Sequence, residues 1–168
     1  MSFYLPGVKP NSDFENLFKA VGFVIVQWGQ AEQSIDLITN LLFRDFEGKR
    51  FAKRMPKMLE KKLEFMTECV AKTPELSQFQ SAFDSLIDRF TRLSAMRHAI
   101  VHGALSSGAA NDGEFIFMKL NAGYDTHFVN EFIFRPSEFA KIVRDLLDLG
   151  ADAGKLGHNI FDIVKQRP

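Results

Sequence analysis

One cysteine, one tryptophan and two tyrosines stand among 168 residues that include 18 phenylalanines. The single thiol, Cys69, excludes an internal disulfide and a cysteine-based zinc site, as expected of a chain that works in a reducing compartment. Charge of one sign is lacking too. The 21 Lys and Arg balance 21 Asp and Glu, so no global field draws the chain to nucleic acid or a membrane, and any basic site must be local. No uninterrupted apolar run approaches the ~18 residues of a membrane span, and the opening Met-Ser-Phe-Tyr-Leu-Pro has no basic start followed by an apolar core. We expect a soluble, cytoplasmic protein without membrane association. Internal repeats, low-complexity tracts and a second domain are also missing, and the length suits one domain with a sizeable core.

What is present is helical spacing. Residues 1–11, with Pro6, Gly7 and Pro10, read as an irregular arm; Ser12 and Glu15 then form a capping-box pattern, and Leu17, Val21, Val24, Trp28, Ala31, Ile35, Ile38 and Leu42 predict one long helix over about 12–46. Gly22 and Gly29 weaken that helix by roughly 1 kcal/mol each relative to Ala, for which close approach by a neighbouring helix or a bend is the expected reason. Met55, Leu59, Leu63, Met66 and Val70 predict a second helix over about 51–72, with Pro56 in its first turn or marking a later start. Thr73-Pro74-Glu75 opens a third helix, with the threonine hydroxyl as N-cap, and Gly103 stops it after His102. A small-residue loop over 106–113 leads to two phenylalanine-rich segments around a turn at Gly123, a β-hairpin within 114–135. Pro136-Ser137 begins the last helix, whose far end Gly150, Gly154 and Gly157 leave open. The expected fold is mainly α: an antiparallel helical bundle with the hairpin inserted before the last helix, its Phe-rich face covered by the bundle or by a partner subunit.

Two features break the patterns. The segment 44–62 carries an excess of positive charge, with Lys49, Arg50, Lys53, Arg54 and Lys57 as candidate phosphate contacts; a solvated face is the plainer meaning of such a run. On the third helix, Phe83, Leu86, Phe90 and Leu93 form an apolar stripe on which Arg97 then falls. Arginine cannot shed its proton to escape burial, so it belongs in a wet cleft, at an interface or against an anion. Glu32, four residues after Trp28, turns a carboxylate to the apolar side of the first helix in the same manner, either as a partner for Arg97 or as a rim glutamate.

Three readings fit Arg97-His98-Ala99-Ile100-Val101-His102-Gly103. His98 and His102 at i and i+4 could share a metal, completed by Glu32, His127 or His158. They could instead cap the helix C-terminus, which suits His102 but does not explain Arg97. Or the cluster is nucleolytic: histidine, with an ordinary pKa near 6.5, exchanges protons at neutral pH, and arginine clamps a phosphate bidentately. Five residues rotate an ideal helix by about 140°, so arginine reach or unwinding at Gly103 must bring Arg97 and His102 together.

The heptapeptide resembles the Arg, polar residue, three further residues, His motif of the HEPN superfamily of helical RNA-processing and defence domains. Trp28-Gly29-Gln30-Ala31-Glu32 is similar to the aromatic-Gly-x-x-Glu stretch of bacterial members, and the likeness spans most of residues 12–160. The resemblance implies a helical bundle that dimerises around the motif helix, and metal-independent endoribonuclease activity without a cofactor, as a toxin or defence effector controlled by an antitoxin or other regulatory protein. It assigns phosphate stabilisation to Arg97, proton transfer to His102, an orienting role to Glu32, and hydrogen bonding to His98, which stands where the family most often has asparagine. Some members bind RNA, nucleotide or protein without cleaving, which is the competing expectation.

Overall fold

The computed structural model describes residues 12–106, 114–122 and 127–167. The N-terminal arm, most of the loop after Ser106 and the Gly123 turn lie outside the described residues. The chain is mainly α. Four helices, α1 (Ser12–Asp45), α2 (Leu59–Lys72), α3 (Gln80–His102) and α4 (Phe139–Lys165), enclose in sequence a small antiparallel sheet of β1 (Ala104–Leu105), β2 (Phe115–Ala122) and β3 (His127–Phe134). The order helix, helix, helix, hairpin, helix is therefore as expected. The contacts divide into two compact units, residues 1–26 with 95–144, and 27–94 with 145–168.

The second of these units is built from helical stripes. Trp28, Ala31, Ile35, Ile38 and Leu42 on α1, Phe83, Leu86, Phe90 and Leu93 on α3, and Leu146, Leu149, Ala153, Leu156 and Ile160 on α4 are all buried, each row advancing by alternate steps of three and four. That spacing keeps one side of a helix against its neighbours. Trp28 meets Phe90 edge-on with ring centroids 5.5 Å apart, an arrangement the aromatic quadrupoles favour. Ser34 beside Gly154, Ile38 against Gly157, and the Asp45 carbonyl accepting from Arg167 advance together along both helices, so α1 and α4 run in the same direction here. Polar links tie the remaining helices: Lys62 pairs with Asp36, and Arg89 with Asp152 at 2.5 Å.

Several boundaries differ from the expectation. Of the two starts that Pro56 allowed for the second helix, the later one holds: it begins at Leu59, because the 3-10 turn Gly48–Arg50, a left-handed Glu47 (φ 56°) and Pro56 keep the preceding chain irregular. Gly48 is required there, since a Cβ would lie 2.6 Å from the Leu42 carbonyl. The third helix opens with a 3-10 turn, Pro74–Phe79, and the Thr73 hydroxyl caps nothing; it is buried without a partner among the described residues. Gly22 and Gly29 have open space where a Cβ would stand, so no close helix approach explains them. The last helix continues through all three of its glycines to Lys165.

In the other unit, Gly103 turns α3 directly into β1, which pairs antiparallel with β2 (Ala104 opposite Met118), making the expected hairpin a three-stranded sheet. β2 and β3 pair from Phe115–Phe134 to Ala122–His127. Strand alternation places Phe115, Phe117, Phe132 and Phe134 on one face, and there Phe115, Phe117 and Phe134 are buried, with Phe134 stacked on Phe139 at 4.5 Å between centroids. The opposite face leaves Met118, Leu120, Val129 and Ile133 exposed.

Candidate functional site

The last turns of α3 and the middle of β2 form one basic cluster within a single unit. Along α3 the buried row continues from Leu93 to Met96 and Ile100. Arg97 holds the neighbouring seam position and is only half-buried, so the helix relieves the misplaced charge by rotating Met96 into the core in its stead. Among the described residues Arg97 has no hydrogen bond and no ion pair. Its guanidinium fork is left free to clamp an anion.

His98 and His102, one helical turn apart, bring their rings to 4.7 Å between centroids, and both residues are exposed. Gly103 keeps the helix end close to the sheet: its N–H donates to the Ala99 carbonyl at 2.8 Å, and a Cβ there would stand 3.2 Å from the Cβ of Phe117. Since β1 follows immediately and pairs with β2 at Met118, the next residue of β2, Lys119, comes beside the helix end. It shares its face with Phe115 and Phe117, and its ammonium contacts Nε2 of His98. The pKa of His98 is lowered from its ordinary 6.5, first by loss of hydrating water and then by the positive charges of Lys119, His102 and Arg97. No carboxylate pairs with any of these four residues among the described ones. Chemically the cluster offers a guanidinium, an ammonium and two imidazoles, with no carboxylate among the described residues paired to balance them.

The other residues singled out in the sequence stand elsewhere. Glu32 belongs to the other unit, is half-buried, and has no ion pair with a described residue. The segment 44–62 also lies in that unit. There Arg50 pairs with Glu47 and lies 5.9 Å over the Phe51 ring, with Lys72 5.6 Å from the same centroid. Lys49, Lys53, Arg54 and Lys57 are exposed, without an ion pair to a described residue. His98 and His102 find no third His, Cys, Asp or Glu that would complete a metal site among the described residues. His158 pairs instead with Asp162 at 3.4 Å. The one cysteine is no nucleophile: burial, and then Glu68, push the Cys69 thiol up to about 12.

Lys119 is the residue that sequence reasoning missed. The signal was there. It interrupts the alternating row Phe115, Phe117 on a strand as Arg97 interrupts the stripe on α3. Compared with known proteins, the chain matches no family model, no curated protein and no solved structure.

Proposed function

We propose that the chain is a HEPN-like, metal-independent endoribonuclease that acts as a homodimer in the cytoplasm, as a toxin or defence effector restrained by an antitoxin or other regulatory protein. The observation that supports this reading is the gathering of Arg97, His98, His102 and Lys119 at the end of α3, with no carboxylate paired to any of them among the described residues. Such a set is suited to a phosphodiester. The 2′-hydroxyl attacks the adjacent phosphorus while an imidazole takes its proton; the bond to the 5′-oxygen breaks, and an imidazole returns a proton to that oxygen. The products carry a 2′,3′-cyclic phosphate and a 5′-hydroxyl. Arg97 forks onto the non-bridging oxygens, and His102, whose ring has no hydrogen bond to a described residue, is the better placed proton carrier. A dimer would supply two such sets, one for each transfer.

A second reading is favoured by a separate observation. The exposed Lys49, Lys53, Arg54 and Lys57, without an ion pair to a described residue, and a Phe51 ring flanked by Arg50 and Lys72 suit a module that binds RNA without cleaving it. Incubation with structured and unstructured RNA in EDTA separates the two. Turnover that disappears in Arg97→Ala and His102→Ala supports the nuclease; salt-sensitive binding without turnover supports the binding module.

A further inference from the structure

Within the proposed nuclease reading, we propose that Lys119 is a positioning residue of the site: it donates to Nε2 of His98, fixes that ring as the neutral tautomer carrying its proton on Nδ1, and so reserves proton transfer for His102.

The inference starts from valence. An ammonium has three donors and no acceptor, so the atom it meets must present a lone pair. Lys119 Nζ meets Nε2 of His98; with the ammonium as the donor, that nitrogen is the one that carries no proton. A neutral imidazole has one N–H, which must then sit on Nδ1. The topology brings the two residues side by side. Gly103 admits β2 against the helix end, β1 registers Met118 opposite Ala104, and alternation turns Lys119 to the face of Phe115 and Phe117.

Among the described residues, the groups that act on His98 are Lys119 on β2 and His102 and Arg97 on its own helix, and none of them is a carboxylate. Across the sheet, Asn130 stands opposite Lys119 and is uncharged, while Glu131 pairs with Met118 on the other face. A second proton on His98 would meet the fixed charges of Lys119 and Arg97 and break the bond from Lys119. His102 has no such tie. The two imidazoles, one helical turn apart, thereby acquire different work: His98 is a fixed neutral donor through Nδ1, and His102 takes and returns protons.

The test reads His98 directly. With 13C-labelled histidine, the ring resonance of His98, assigned by its loss in His98→Asn, is titrated in the intact wild type, in Lys119→Met and in Lys119→Arg. We expect the His98 midpoint to lie below 6.5 in the wild type, to rise towards 6.5 in Lys119→Met, and to stay low in Lys119→Arg, which keeps a cation on the strand. The RNA cleavage profile supplies the second readout: the acid limb moves in Lys119→Met, and the rate falls about tenfold or more, with the limb restored in Lys119→Arg. A His98 midpoint identical in wild type and Lys119→Met overturns the inference whatever happens to RNA. A raised midpoint with no cleavage by wild type supports the Lys119–His98 pairing and overturns the nuclease reading, so the two failures are distinct.

Discussion

An alanine at position 103 would set a methyl group 2.4 Å from the Ala99 carbonyl oxygen and 3.2 Å from the Cβ of Phe117. Side-chain carbons do not come closer than about 3 Å to such an oxygen, so the helix end or the sheet must give by at least about 0.6 Å. The oxygen is not free to move, because it accepts the 2.8 Å bond from the Gly103 N–H that closes α3. Overpacking of this kind costs about 1–3 kcal/mol, and the smaller entropy of an alanine chain in the unfolded state returns about 0.4–1 kcal/mol. At the middle of both ranges Gly103→Ala should therefore destabilise by about 1.3 kcal/mol, which lowers the melting temperature by roughly 3–5 °C for a chain of this length. The same exchange at Gly29, where a Cβ meets nothing within 4 Å, should stabilise α1 by about 0.5–1 kcal/mol. Urea unfolding of the pair, followed by circular dichroism, measures both signs in one experiment. Equal signs, or a Gly103→Ala variant within about 0.5 kcal/mol of wild type, would refute the claim that Gly103 is kept for the approach of helix end and sheet.

Other consequences are shorter to state. Phe90→Ala removes the ring that meets Trp28 in a fully buried position and should cost about 3–5 kcal/mol in chemical denaturation; a loss under 1 kcal/mol would contradict the packing described. Because the folded-state pKa of His98 is depressed, the unfolded chain binds the proton more readily, so the contribution of this ring to stability is intact above about 6.5 and is lost as pH falls through the lowered value. Urea midpoints across that window should decline towards acid in wild type, and the decline should be smaller in His98→Asn. If RNA contacts the basic run, replacing Lys53, Arg54 and Lys57 by glutamine should lower the slope of log affinity against log salt by about 2 for a single strand. Cys69 should react with a thiol reagent only on unfolding; prompt labelling of the native chain would contradict its burial.

Periodicity carried most of the fold. The rows through Trp28 and Leu42, Phe83 and Leu93, and Leu146 and Ile160 were visible as spacing and are the buried rows of the structure. Boundaries set by local backbone geometry were less legible. Pro56 signalled the later start of α2 at Leu59, but the left-handed Glu47 and the tight fit of Gly48 against Leu42 that shape the preceding turn leave no mark in the apolar pattern. β1 was hidden because two residues after a helix have no period of their own; its existence depends on pairing with β2. The same long-range pairing explains why three of the four residues of the basic cluster could be seen and the fourth could not. Arg97, His98 and His102 are neighbours along α3, whereas Lys119 joins them only through the register of Ala104 with Met118. Gly22 and Gly29 mark the reverse case, where a sequence feature suggested a contact and the space beside it is open.

The most direct measurement uses an RNA oligonucleotide cleaved at a mapped linkage, and its twin with a single 2′-deoxy sugar at that position, both incubated with the purified protein in EDTA. The proposed chemistry predicts a 2′,3′-cyclic phosphate and a 5′-hydroxyl from the all-ribose strand, no cut at the deoxy linkage, and no product from Arg97→Ala or His102→Ala. Cutting at the deoxy linkage, no cleavage of any RNA by wild type, or undiminished cleavage by both variants would contradict it.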